Sequence, residues 1–245
     1  MPAISRIILS TASSELVFCG GGRERPLVIR RLARARAMKL SVDPRDGTVR
    51  LSLPKRAALR PALEWVQAKR DWIERALAAV PPSQPIRNGM LIPFEGERLA
   101  IAWSPDFPRA VRRESDRLML GGAEESIEGR VLRWLRREAL ARLESETRAC
   151  AARAGVTVGR VTVGDPRSRW GSCSASGDIR YSWRLILAPP EVLRATVAHE
   201  VAHRLHMDHS PRFHAAVAAL LGREPAAERR WLRTHGCGLY GLGRS

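Results

Sequence analysis

The sequence predicts an α+β protein, because hairpin-like segments and amphipathic helices occur as separate blocks along the chain. Residues 38–53 alternate apolar and polar side chains on both sides of the turn sequence DPRDG, which is typical of a β-hairpin. A second hairpin is predicted within residues 168–187, with its turn at 176–178. Residues 57–79 and 127–153 instead carry apolar residues at helical spacing. Grouped strands and helices of this kind favour the α+β class.

The remaining segments complete the predicted order of elements. Short strands are expected at 90–94, 97–103, 117–120 and near 156–163, and the sequence PPSQP at 81–85 is expected to act as a linker. A helix is predicted to begin at Pro189-Pro190 and to run to about residue 206, followed by a break at 208–210. Ser210 is a good N-cap for a further helix that ends at Gly222.

Composition narrows the class of protein. The chain has 245 residues, 44% of them hydrophobic, enough for a substantial core. No apolar run approaches the roughly 18 residues of a membrane span, and the apolar core at 7–9 is too short for a signal peptide. The cysteines are far apart and form no C-x-x-C pair: Cys19, Cys150, Cys173 and Cys237. We therefore expect a cytoplasmic protein with reduced thiols and no membrane partner.

The net charge of +17 raises the question of a polyanionic partner. Only three of the 42 basic residues are lysines, and such an arginine skew can arise from codon usage. Residues 23–56 hold 11 basic and 3 acidic residues, and the rest of the charge is distributed. A solvated arginine-rich surface is therefore favoured, while nucleic acid or a nucleotide remains a possible partner.

Five of the six histidines lie in residues 199–214, HEVAHRLHMDHSPRFH. On a helix, His199 and His203 are about 40° apart around the axis and one turn apart along it, so both imidazoles could bind one ion. Glu200 is rotated by about 100° from His199, beside such an ion, where it could take a proton from water. Residues 192–202 are otherwise nearly free of charge, so these polar groups would be buried, and a metal would offset that cost.

The third ligand is predicted to be His209. His206 shares the face of His199, but it would lie about 10.5 Å along a straight helix, too far for the same ion. His209 follows the expected helix break. Its spacing matches H-E-x-x-H-x-x-G-x-x-H, although His206 stands at the glycine position, so the motif is not a metzincin one. His206 could face solvent or donate to substrate, and His214 could pack at the surface or face the site.

The sequence resembles one known family over roughly residues 26–237. The segments RWGSCSASGDIRYSWRLILAPPEVLRATVAHEVAHRLHMDHSPRF, LVIRRLARARAMKLSVDPRDGTVRLSLP and KRDWI are similar to the YgjP-like zinc metallopeptidases, which are related to the SprT and WLM groups. The resemblance implies Zn²⁺ at His199, His203 and His209, with Glu200 as general base. It also implies a minimal zincin-like catalytic core, in which the strand from SRWGSCS lines the cleft.

On this basis the chain divides into an N-terminal extension (1–25), a β-rich N-terminal region (26–125) and a zincin-like catalytic region (126–240).

Two positions depart from the family. Ser182 stands where the family commonly has Asn, and His214 stands where it usually has Trp. The first departure puts a supporting hydrogen bond in question, and the second makes His214 a candidate ligand or acid.

The favoured function is a zinc-dependent metallopeptidase acting on a peptide or protein. Arg169, Tyr181 or His206 could stabilise the oxyanion, and an extended substrate could pair with the strand around 170–174. In the alternative interpretation WGSC is plain hairpin structure. The candidate substrate-binding residues are Arg169, Trp170, Gly171, Ser172, Tyr181, His206 and His214.

Two other functions stay open. The resemblance also points to UTP pyrophosphatase activity, for which Arg167, Arg169 and Arg184 are candidate phosphate clamps. The chain has no Gly-x-x-x-x-Gly-Lys loop, which counts against a dedicated NTPase site. The third possibility is a nucleic-acid-associated protease or binding module, suggested by the basic N-terminal hairpin.

Overall fold

The structure is a computed structural model that describes residues 6–9, 16–20 and 23–243. Its internal contacts divide the chain into two units, Met1–Pro82 and Ser83–Ser245. The regional boundaries at 25/26 and 125/126 remain a prediction about organisation. Parts of the predicted N-terminal extension lie outside the described residues.

The first unit is built on a five-stranded mixed sheet in the order β1-β2-β3-β5-β4. Strands β3 and β5 are parallel, and the other neighbours are antiparallel. The predicted hairpin of 38–53 is confirmed as β4 and β5, with Leu40 opposite Leu51. The strands are β1 (Arg6–Leu9), β2 (Leu16–Gly20), β3 (Arg23–Leu32), β4 (Lys39–Val42) and β5 (Val49–Pro54).

The helix predicted over 57–79 is two helices, α1 (Leu59–Ala68) and α2 (Arg70–Ala78). They are separated at Lys69, where φ is −97° and ψ is 13°, outside the helical region. The single-helix prediction was wrong at this point because no glycine or proline marks the break. Most of the predicted apolar stripe is confirmed: Val66 and Ile73 are buried in one core with strand β5, and Leu63 and Leu77 pack against that core. Leu59 is exposed.

The second unit begins with a four-stranded sheet in the order β6-β7-β9-β8. It contains β6 (Leu91–Phe94), β7 (Glu97–Trp103), β8 (Arg112–Glu114) and β9 (Arg117–Leu120), followed by the long helix α3 (Ile127–Ala154). The strands predicted at 90–94, 97–103 and 117–120 and the helix at 127–153 are confirmed. Strand β8 was missed because its three residues are all exposed and show no apolar alternation.

A three-stranded sheet in the order β10-β12-β11 lies next along the chain. Its strands are β10 (Val161–Gly164), β11 (Gly171–Cys173) and β12 (Ile179–Ser182). Strand β11 is antiparallel to β12 and forms one edge. The second hairpin is thus confirmed, but residues Trp183–Leu187 form a 3-10 helix instead of extending it. Ser182 Oγ accepts a hydrogen bond from Arg184 N, which favours the turn.

The last helices are α4 (Pro190–Ala202), α5 (Pro211–Leu221) and α6 (Ala226–His235), and further 3-10 turns lie at Glu124–Ser126 and Gly236–Gly241. Helices α3 and α4 share one continuous core that includes Leu143, Val197 and Val201. The described chain therefore has the predicted α+β class, and helix α4 packs beside the small three-stranded sheet, as the minimal zincin-like prediction requires. Among the described residues, no helix combines the length and apolarity needed to cross a bilayer.

Candidate metal centre

Helix α4 carries the H-E-x-x-H sequence at its C-terminal end. Nine of its residues are buried, Glu200 among them, whereas His199 and His203 are half-buried, so the expected burial of these polar groups is complete only for Glu200. The helix ends at Ala202, about one turn earlier than predicted, and His203 is its C-cap. Leu205 N and His206 N both donate to Ala202 O, so a tight turn replaces the last expected helical turn.

The turn brings three histidines together. Each of these residues offers one ring nitrogen, and the three nitrogens of His199, His203 and His209 lie within 4.8 Å of one another. The Nε2 atoms of His199 and His209 are 3.3 Å apart. Two ligands that each lie about 2.1 Å from a tetrahedral ion are separated by about 3.4 Å. The cluster therefore fits a single ion, and an all-imidazole set suits zinc.

A phenylalanine packs behind these rings. Phe213 is fully buried, and its ring centroid lies 4.9 Å from that of His199, 4.6 Å from His203 and 4.8 Å from His209. Helix α5 places Phe213 here, and Ser210 Oγ caps that helix by accepting from Phe213 N. The predicted N-cap and the stop at Gly222 are confirmed. An apolar wall on this side restricts the motion of all three imidazoles.

The protonation of the imidazoles also suits a metal. Burial first, and then the neighbouring His203 and His209, lower the pKa of His199 to about 4. Burial also lowers the pKa of His203. Nδ1 of His203 lies 3.3 Å from His206 O; donation of its proton to this carbonyl leaves Nε2 as the free acceptor. Neutral imidazoles with one free nitrogen are the form that binds metal.

Glu200 lies beside the cluster and is only 4% exposed. Burial raises the pKa of its carboxyl group to about 7, and the positive charge of Arg169 partly opposes that increase. A Cβ atom on Gly171 of β11 would lie 2.4 Å from Glu200 Oε1. Glycine at 171 is thus the only residue that leaves room for the carboxylate against the edge strand.

A cavity of about 240 Å³ opens next to His199 and Glu200. Its walls come from α4, α5, α6 and the residues before β11. Its apolar part is formed by Trp170, Ala195, Val217, Pro225 and Leu232. Arg169, Glu228 and Arg229 supply charge. The cavity is therefore a mainly apolar depression directly beside the candidate metal ligands.

The residues predicted to bind substrate divide into two groups. Arg169, Trp170 and Gly171 line the cavity beside Glu200, and Ser172 lines a second cavity that also reaches Arg169. The Trp170 ring also packs 5.7 Å from that of Tyr240. Trp170 thus lines the cavity and also packs against a neighbouring aromatic side chain, and its contact with substrate stays a prediction.

Tyr181 lies elsewhere. It is fully buried, and its hydroxyl is 3.0 Å from Thr147 Oγ1 in the core. A phenol with no exposed surface is not placed to contact a substrate, so the structure does not bring Tyr181 to the cleft. The alternation of β12 explains this, since Ile179 and Tyr181 face the core and Arg180 faces outward.

Arg184 is also unavailable as a phosphate clamp. It is 3% exposed, and Nε and Nη2 donate to the two carboxylate oxygens of Asp165 at 2.8 and 3.1 Å. Nη1 donates to Leu239 O and Leu242 O. The guanidinium is therefore fully engaged in a structural network. Ser182, at the position where the family commonly has Asn, caps the adjoining 3-10 turn.

The two other histidines of residues 199–214, His206 and His214, are partly buried. The His206 carbonyl oxygen accepts a hydrogen bond from His203 Nδ1, so residue 206 helps to orient His203 through its backbone, independently of the His206 side chain. The His214 ring lies 6.4 Å from that of His209, beyond the range of a ligand to the same ion. The structure therefore does not group either side chain with the three histidines.

Sequence reasoning overlooked Phe213, Glu228 and Arg229. Phe213 could have been found from the H-S-P-x-F segment, where an apolar residue follows the capping serine by three positions. Glu228 and Arg229 carry no such signal, because they reach the cavity from α6, far along the chain from α4.

A comparison with protein families agrees with this geometry. Residues 36–235 match the model of the YgjP-like metallopeptidase domain. Because the match covers most of the chain, the protein belongs to the YgjP-like family, as the sequence resemblance implied. Membership supports a zinc-dependent hydrolase of the metallopeptidase type. Comparisons with curated proteins and with solved structures gave no match.

Proposed function

We propose that the protein is a zinc-dependent peptidase in which His199, His203 and His209 hold the ion and Glu200 is the general base. The observation that carries the proposal is the placement of one buried carboxylate beside three grouped imidazoles at the wall of an open cavity. A purely structural zinc site would need no buried base at its side.

The chemistry follows from these groups. A zinc ion at the three imidazoles would supply Lewis acidity, polarising the substrate carbonyl and acidifying water. Glu200 accepts a proton as the water oxygen bonds to the carbonyl carbon. It then delivers that proton to the nitrogen as the C–N bond breaks, so that an amine and a carboxylic acid leave. Its withdrawal from solvent against Gly171 keeps its basicity high.

The edge strand offers a means to position the substrate. In the described part of the chain no strand pairs with the outer edge of β11. An extended peptide can add to such an edge through main-chain hydrogen bonds. The scissile bond would then pass beside Glu200, which touches Gly171 in the same strand.

The test compares wild type with Glu200→Gln, loaded with zinc and matched for metal content. We expect both to bind one zinc ion and peptide cleavage to fall by about 10²-fold or more in the variant, since general base catalysis contributes about that much. Hydrolysis of UTP by the wild type, lost in Glu200→Gln and without peptide cleavage, would instead favour a nucleotide pyrophosphatase.

A further inference from the structure

The second cavity, of about 430 Å³, lies along the other face of the small sheet. Three arginines line it: Arg160, Arg169 and Arg180. All three are exposed, and in the described part of the chain their guanidinium groups form no ion pair or hydrogen bond. Three like charges around one concave surface create a strongly positive potential.

The one carboxylate in this cavity, that of Asp178, can offset only one of these three positive charges. Asp178 Oδ1 accepts from the backbone N–H of Arg160 at 2.8 Å, and Oδ2 is 3.5 Å from Ser176 Oγ. Its role is to hold the turn between β11 and β12. The cavity therefore keeps an excess of positive charge, with the Ser172 hydroxyl as a further hydrogen-bond donor.

Strand register connects this charge to the candidate active site. Arg180 lies opposite Ser172 in β11 and opposite Thr162 in β10, so these three share one face of the sheet. Gly171 faces Glu200 on the opposite side. Arg169, just before β11, lines both cavities. The two cavities thus flank the same edge strand.

From this arrangement, which rests on the proposed function, we infer that the enzyme prefers acidic peptides. A peptide strand added to β11 alternates its side chains between the two faces. One set of side chains points to the mainly apolar cavity beside Glu200, and the intervening set points to the face with Arg169 and Arg180, while Arg160 adds positive charge at the far edge of the second cavity. Carboxylates at these intervening positions form charge-assisted hydrogen bonds with guanidinium groups. The preferred substrate is therefore an extended segment that alternates apolar and acidic residues.

The experiment uses the zinc-loaded full chain and matched pairs of decapeptides drawn from a mixture-based library. One member of each pair has Asp and Glu at alternate positions, and the other has Asn and Gln at the same positions. We expect kcat/KM to favour the acidic member by roughly three- to tenfold at low salt, with the preference decreasing as salt is added. Arg180→Gln should move the ratio towards one. The control Arg137→Gln, on the exposed surface of α3, should keep the wild-type ratio.

Equal cleavage of both members by the wild type would overturn the preference and leave the peptidase proposal intact. If no peptide is cleaved, the proposed function fails, and binding of fluorescent peptides to Glu200→Gln decides the inference. Tighter binding of the acidic peptide than of its amide counterpart supports the inference if Arg180→Gln abolishes the difference. Equal binding of the two peptides refutes the inference. Tight binding of a single-stranded oligonucleotide that depends on Arg180, without any acidic preference among peptides, would also refute it in favour of nucleic acid.

Discussion

Gly171 and Glu200 are in direct contact between the edge strand β11 and the helix α4, and a Cβ atom at residue 171 would lie 2.4 Å from Glu200 Oε1. It would also lie 2.6 Å from Glu200 Cγ. Because both the end and the middle of the Glu200 side chain are touched, a rotation of the carboxylate alone does not make room. The position of the candidate base is thus set by the lack of a side chain opposite it.

Gly171→Ala should therefore displace Glu200 and reduce peptide cleavage by roughly 10-fold or more, because misplacing a reacting group by about 1 Å can cost about 10²-fold. The three histidines are untouched, so zinc content should not change. Steady-state kinetics and metal analysis check this.

The control is Gly129→Ala on the exposed side of α3, where a Cβ atom meets nothing closer than 3.6 Å. It should keep activity and gain up to about 1 kcal/mol of stability. Full activity in Gly171→Ala would show that the contact is not needed.

The second prediction concerns the two histidines of the turn after α4. His209→Ala should lower zinc affinity sharply, because it removes one of the three grouped nitrogens. His206→Ala should retain zinc, because the contribution of residue 206 to the cluster is its backbone carbonyl, which accepts from His203. Competition with a chromogenic chelator measures both affinities. Equal zinc affinity in the two variants would contradict the assignment of His209.

The third prediction concerns the buried arginine after β12. Arg184→Ala should destabilise the protein by about 3–5 kcal/mol, because it leaves Asp165 and two buried carbonyl oxygens without their donor. Arg194→Ala is the matched control, since the Arg194–Glu191 ion pair is about half exposed and such pairs contribute about 0–1 kcal/mol. Urea unfolding of both variants provides the comparison. A similar small loss in each would mean that the Arg184 network contributes little.

The fourth prediction is a pH dependence at the wall of the cavity. The hydrogen bond from Arg223 lowers the pKa of Glu228, which is 5% exposed, below its usual 4.5. The folded protein thus binds this proton less readily than the unfolded chain. The stabilisation is fully present above about pH 4.5 and is lost as the pH falls through the lower pKa of the folded state.

Glu228→Gln should accordingly be less stable than wild type at neutral pH, and the difference should shrink in acid. Thermal unfolding over a pH series measures this. Glu138→Gln, which alters an exposed pair with Arg137, should show no such dependence. A constant difference between wild type and Glu228→Gln at every pH would exclude the ionic contribution.

The elements that could be predicted from the sequence were those with a local pattern of apolar residues or a residue typical of a helix end. Apolar alternation marked the hairpin of β4 and β5, and Pro189, Ser210 and Gly222 marked helix ends. The break at Lys69 and strand β8 had no local signal, because neither involves proline, glycine or an apolar period.

In the candidate site, the motif was sufficient to select His199, His203 and His209, which the structure groups; their role as ligands remains a prediction. His206 was predicted to lie too far along a straight helix, whereas α4 ends at Ala202. The contact of Gly171 with Glu200 and the engagement of Arg184 could not be predicted. Both depend on residues that are distant in sequence and meet only after packing.

The Arg184 network has a consequence for the order of events on the ribosome. Arg184 directly precedes the segment that leads into α4, yet two of its acceptors, Leu239 O and Leu242 O, belong to residues synthesised 55 and 58 positions later. A nascent chain that has exposed the H-E-x-x-H helix but not these carbonyls must keep Arg184 solvated. The Arg184 network, which fixes the turn ahead of α4, can thus close only after synthesis has passed Leu242.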